Sequence, residues 1–129
     1  MDDTNLGVLK ALYDALGAGD FGAVLGLLSD DVVGHVPGRS PVAGDYVGKD
    51  AVAGYVGKLA ERSGGTVRFR PRAAFVAGDR GVGLLRDLAE RDGKVLAMDN
   101  VHVWRMGDGT LEEIWIYPGD QYAWDDFWS

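Results

Sequence analysis

Val95-Leu96-Ala97-Met98-Asp99-Asn100-Val101-His102-Val103-Trp104-Arg105-Met106 is the stretch that decides the fold. It is long, rich in β-branched and aromatic residues, and apolar on both faces. That pattern is a strand covered on both sides. Arg91-Asp92-Gly93-Lys94 precedes it and Gly107-Asp108-Gly109 follows it, and both are turn sequences. The strand is therefore predicted to be hairpinned at each end. Residues 82–90 form the strand that enters it, after the turn Gly78-Asp79-Arg80-Gly81. Residues 66–77 form the strand before that, where Val67, Phe69, Ala73 and Phe75 alternate with Arg68, Arg70 and Arg72. Residues 111–117 are the last strand. The tail from Pro118 to Ser129 is aromatic, with Tyr122, Trp124, Phe127 and Trp128, and is expected to dock over a pocket or across a partner subunit.

The first half reads as helices. Leu6, Leu9, Leu12, Tyr13 and Leu16 recur at helical spacing, with Thr4 or Asn5 as the cap. Gly17-Ala18-Gly19-Asp20 stops that helix, and Asp20 caps a second one carrying Phe21, Val24, Leu25 and Leu28. Residues 32–36 are a short strand, and a turn-rich loop runs from Arg39 to Gly48. A third helix starts near Asp50, with Val52, Tyr55, Val56 and Leu59 on one face. Gly54 and Gly57 each weaken it by about 1 kcal/mol relative to alanine, so packing or a close backbone approach is expected there. Helices first, then hairpin-joined strands, predict one α+β domain over residues 1–129. Three N-terminal helices pack on a strongly curved antiparallel sheet around an internal apolar pocket.

The net charge of −7 argues against a nucleic-acid partner and against an anionic membrane surface. No apolar run approaches membrane-spanning length, and the opening Met1-Asp2-Asp3-Thr4 does not read as a signal peptide. The chain has no cysteine, which removes disulfides and thiolate chemistry and is compatible with a cytoplasmic location. With two distant histidines and no zinc or phosphate-loop motif, neither a metal nor a cofactor is expected. Glycine, alanine, valine, arginine and aspartate usage hints at a bacterial, GC-rich source.

Four further stretches carry a family resemblance. They are residues 12–21 (LYDALGAGDF), 27–32 (LLSDDV), 44–52 (GDYVGKDAV) and 103–111 (VWRMGDGTL). Together they make the chain resemble the nuclear transport factor 2-like superfamily. That group includes ketosteroid isomerase and the SnoaL-like polyketide cyclases. The resemblance implies a cone-shaped α+β barrel with a pocket, and a homodimer through the sheet face. It does not imply a reaction, because one fold hosts many.

The resemblance also nominates residues. In the isomerase branch a catalytic aspartate ends the first strand, and His35 stands at that position. The oxyanion tyrosine of the first helix falls on Leu12, with Tyr13 one step away. The protonated aspartate of the penultimate strand falls on Val101, with Asp99 two residues earlier on the same face. In the cyclase branch a histidine on that strand matches His102, and Asp120 is the carboxylate nearest the acid/base aspartate. Asp99 lies on one strand face and Asn100 with His102 on the other, so one set faces the pocket. Tyr13, Tyr46, Tyr55, Val101, Trp104 and Trp115 are the expected ligand contacts. Core packing for Tyr13, interface packing for Trp104 and Trp115, and a turn-capping role for Asp120 are the structural alternatives.

The expected function is cofactor-free general acid/base chemistry on a small, apolar, carbonyl-bearing metabolite: isomerisation, cyclisation or dehydration. His35 is the expected base or acid, with Asp99, His102 or Asp120 as the second group. The rivals are a non-catalytic binder of a hydrophobic ligand and a dimerisation domain without a pocket.

Overall fold

A computed structural model describes residues 2–129. In chain order, α1 (Asp2–Ala18) and α2 (Phe21–Gly26) precede β1 (Leu28–Val36) and β2 (Gly44–Val47). Next come α3 (Lys49–Arg62), β3 (Arg68–Ala77), β4 (Arg80–Arg91), β5 (Lys94–Gly107) and β6 (Thr110–Pro118). The last element is α4 (Gln121–Trp128). Strands β3 to β6 form a meander. Two of its turns, Asp92-Gly93 and Asp108-Gly109, place both central residues at positive φ, between 51° and 79°. That is the two-residue geometry whose twist suits a hairpin.

The six strands form one curved sheet in the order β2-β1-β6-β5-β4-β3. The α+β cone is as expected, and four local features sharpen it. β1 begins at Leu28 rather than Val32, because α2 is only six residues long. The loop 39–48 contains the edge strand β2, paired antiparallel with β1. β1 and β6 run parallel, with His35 opposite Trp115. The aromatic tail, for which the sequence reading gives no secondary structure, forms a helix.

Helix α4 completes the core. Trp124, Phe127 and Trp128 are buried, and each contributes on the order of 1.5–3 kcal/mol by leaving water. Three cations hold its C-terminal carbonyls. Arg62 donates to Trp128, Arg91 to Phe127 and Ser129, and Lys94 to Asp126. Positive charge there also complements the helix dipole. At its other end, Asp125 accepts from the Arg39 amide and Gln121 donates to the Pro37 carbonyl. Among the described residues, no helix is long and apolar enough to cross a membrane.

Candidate active site

Between the inner sheet face and the helices lies a cavity of about 80 Å³. Leu12 and Leu16 of α1, Val52 and Val56 of α3, and Ile114 and Ile116 of β6 form much of its apolar wall. Tyr46, Tyr55, Trp104, His102 and Asp87 bring polar atoms to it. An enclosed apolar site of this kind magnifies any charge or hydrogen bond inside it.

His102 belongs to a buried hydrogen-bonded chain. Trp104 Nε1 donates to the Tyr13 hydroxyl at 2.9 Å, and that hydroxyl lies 2.9 Å from His102 Nδ1. An indole can only donate, so the Tyr13 oxygen is the acceptor there. Its own proton then goes to Nδ1, the acceptor within reach. His102 is therefore the tautomer with its proton on Nε2. Burial pushes its pKa down to about 4, so the ring is neutral across the physiological range. Gly83, opposite His102 on β4, makes the chain possible. A Cβ at Gly83 falls 2.1 Å from the Tyr13 hydroxyl, so only glycine leaves room for the ring. Tyr13 does not line the cavity; it acts on it through His102.

Asp87 is the second buried polar group, 3% exposed. Its Oδ2 accepts from Asn100 Nδ2 at 3.0 Å, and Asn100 Oδ1 accepts from the Gly119 amide at 3.1 Å. Its other oxygen, Oδ1, is buried without a partner. Burial raises the carboxyl pKa to about 7, against the opposing pull of the Asn100 bond. Burial first, and the Asp87 charge as well, push the Tyr13 and Tyr55 hydroxyls upward.

The sequence reading missed Asp87. A signal for it was present: counting back from the Asp92-Gly93 turn pairs Arg91 with Lys94, and so Leu85 with Asn100 and Asp87 with Met98. Strand alternation then puts Asp87 on the face of Asn100 and His102.

Of the expected catalytic residues, His102 alone faces the cavity. His35 is corrected: Gly34 and Val36 point inward, so His35 projects from the outer sheet face. There its Nδ1 lies 2.8 Å from Asp45 and its Nε2 2.5 Å from Glu113, and its ring stacks on Trp115. These carboxylates raise its pKa, with Glu113 contributing most. Arg105 bonds Glu112 and Glu113 alongside. Asp99 is also on the outer face, where it accepts from Arg86 at 3.0 Å. Asp120 caps α4 by accepting from the Ala123 amide at 3.0 Å. Among the expected ligand contacts, Tyr46, Tyr55 and Trp104 line the cavity. Val101 and Trp115 lie on the opposite face, because strand alternation sends them away from His102 and Ile116. Among the described residues, no group of three His, Asp or Glu side chains is placed to hold a metal.

The SnoaL-like domain profile matches residues 9–114. An uncharacterized protein of Mycobacterium tuberculosis, Rv0034, is 26% identical over 129 residues, covering 99% of this chain and 98% of its own. Bal32a, from a soil-derived mobile gene cassette, superposes with a TM-score of 0.93 at 30% identity, covering 99% of this chain and 98% of that one. An NTF2-like protein of Burkholderia pseudomallei gives 0.84 at 22% identity, covering 98% of each. TerC, co-crystallized with polyporic acid, gives 0.82 at 23% identity over 96% and 97% of the two chains. The match to the domain profile and the close superposition on Bal32a lead to one assignment: the chain belongs to the SnoaL-like domain family, within the nuclear transport factor 2-like superfamily.

Proposed function

We propose that the protein catalyses proton transfer on a small, apolar, carbonyl-bearing metabolite, with Asp87 as the proton-transferring group. The observation that carries this is the Asp87 carboxyl: its Oδ1 is buried without a partner, in a largely apolar wall that also holds His102. A carboxyl with a pKa of about 7 is divided between its two protonation states near neutrality, as an acid/base catalyst needs. As carboxylate, Asp87 removes a proton from the carbon next to the substrate carbonyl. The C–H electron pair becomes a carbon–carbon π bond, and the carbonyl π pair moves onto oxygen to give an enolate. The neutral His102 donates its Nε2 proton as a hydrogen bond to that oxygen, and keeps it. Return of the proton from Asp87 to another carbon completes an isomerisation. Expulsion of a β-hydroxyl, which takes the proton from Asp87 and leaves as water, completes a dehydration; attack of the enolate carbon on a second carbonyl, whose oxygen takes that proton, completes a cyclisation. TerC, a structural neighbour, was co-crystallized with polyporic acid, which supports a small organic molecule as the class of ligand.

The test is exchange of α-protons for deuterium in D2O, followed by NMR over a panel of small ketones. Exchange by the wild type and its loss in Asp87→Asn, with the fold retained, is the expected result. A second reading, a non-catalytic hydrophobic-ligand binder, is favoured by the small volume and sparse polar atoms of the cavity. Ketones that raise Tm without any exchange would move the assignment there.

A further inference from the structure

The cavity is too small for the metabolite it is built to hold. About 80 Å³ accommodates less than a benzene ring, which needs roughly 150 Å³, while pockets for metabolites start near 300 Å³. On the far side of its wall, between α2 and α3, is an apolar surface groove of about 240 Å³. Val24, Val52 and Val56 line both spaces. One layer of valine side chains therefore separates them. The wall on the α2 side is short: two of the six residues of α2 are glycine, Val24 is its one buried residue, and Phe21 and Leu25 are only partly buried against the core. A helix of that length and composition does not hold itself.

The groove also accounts for a glycine that packing does not. Gly57 sits inside α3, where glycine is a weaker helix former than alanine. A Cβ there meets nothing within 4 Å, so no close backbone approach requires it. Gly57 lines the groove, where a long side chain would occupy part of the space. Gly54, one turn earlier, is equally unencumbered but does not line the groove.

We infer that cavity and groove form one site for an elongated ligand. Its carbonyl head reaches Asp87 and His102, and its alkyl tail passes between Val24, Val52 and Val56 into the α2–α3 groove beside Gly57. The inference deepens the proton-transfer reading by naming the substrate class, an alkyl or alkenyl ketone with a tail of several carbons.

The test measures binding of 2-butanone and 2-decanone by calorimetry to the wild type, Gly57→Leu and Gly54→Leu. Each methylene withdrawn from water strengthens binding about fourfold, so the longer ketone should bind at least 100-fold tighter to the wild type. Gly57→Leu should reduce that ratio below about tenfold and leave 2-butanone unchanged. Gly54→Leu should change neither, and both variants should raise Tm because each removes a helical glycine. No gain from four to ten carbons in the wild type overturns the inference. So does a Gly57→Leu protein that keeps the full gain, or one that loses both ketones alike. α-Proton exchange is read separately on 2-butanone: its absence with the chain-length preference intact sinks the Asp87 mechanism and leaves the elongated site.

Discussion

The two histidines lie on opposite faces of one sheet, and the faces push them in opposite directions. His102 is sealed in an apolar wall, so burial lowers its pKa to about 4 and it stays neutral. His35, half-buried on the outer face, sits between Glu113 and Asp45 and is pushed up. Same side chain, same sheet: the environment decides which is held neutral by burial and which is pushed towards its protonated form by neighbouring carboxylates. Asp87 and Asp99 repeat the contrast. The inner carboxyl has a strongly raised pKa, while the outer one is exposed and paired with Arg86. In the proposed proton-transfer reading, the difference separates reacting groups from scaffolding. Proton transfer at neutral pH needs groups displaced by a dry wall, and the inner face supplies them.

The largest effect expected from this contrast is on turnover. Asp87→Asn should slow α-proton exchange at least 100-fold, while Asp99→Asn and His35→Ala leave it within about twofold. In the wild type, exchange should rise with pH through about 7, as Asp87 becomes carboxylate. Loss of exchange in His35→Ala with the fold intact would reverse the assignment of the two faces.

Next in size is a packing effect. Gly83→Ala drives a methyl group into Tyr13 and disconnects Trp104, Tyr13 and His102. Overpacking plus orphaned buried donors should cost about 2–4 kcal/mol in urea unfolding. Gly54→Ala, with open space around it, should instead stabilise by up to about 1 kcal/mol. Equal responses at the two glycines would remove the case for a built hydrogen-bonded chain.

A smaller effect sharpens the contrast through pH. The Asp87 pKa is higher folded than unfolded, so its penalty is full above about pH 7 and disappears on acidification towards 4. The His102 pKa is lower folded than unfolded, so its penalty is absent above about 6.5 and grows as pH falls to about 4. Each amounts to about 2–4 kcal/mol across its range. Relative to wild type, Asp87→Asn should be most stabilising at pH 8 and lose that advantage by pH 4. His102→Phe should gain against wild type over the lower part of that range. Difference curves from chemical unfolding that run the same way would contradict one of the two burial arguments, and the direction shows which.

The smallest effect is on the outer face. The raised pKa of His35 means that its stabilisation is full below about 6.5 and is lost as pH rises through the folded value. The ring is about a third exposed, so solvent screens the pairs and His35→Gln should cost only about 0.5–1 kcal/mol at pH 6. A loss several times larger would make this cluster more than a surface network.

The architecture was legible because turns and alternation are local. Asp92-Gly93 and Asp108-Gly109 delimit β5 to within a residue, and the capping role of Asp20 follows from its place before Phe21. What failed was the choice of face. The β5 run is apolar on both sides, so alternation alone leaves Asp99 and His102 equivalent. Registering β5 on β4 makes Asp87 an internal residue, but not which face the helices cover. His35 failed for a related reason. Its position in the chain matches a catalytic one, while the pleat of β1 turns it outward. The helix at residues 121–128 was hidden because its aromatic side chains fit a docked strap as well as a helix.

The parallel pairing of β1 with β6 joins residues 33–35 to residues 113–115, far apart in the chain. Hairpins β3 to β6 close short loops and can form early, whereas β1 must wait for β6. Folding is therefore expected on a timescale of about milliseconds to seconds, with β1 docking as the late event. Until then β6 presents an unpaired edge, the species most exposed to aggregation. The cavity shares this fate, since Gly34 and Val36 of β1 form part of its wall. A ligand that binds there has no site on any earlier intermediate, so it stabilises the finished sheet without speeding its formation.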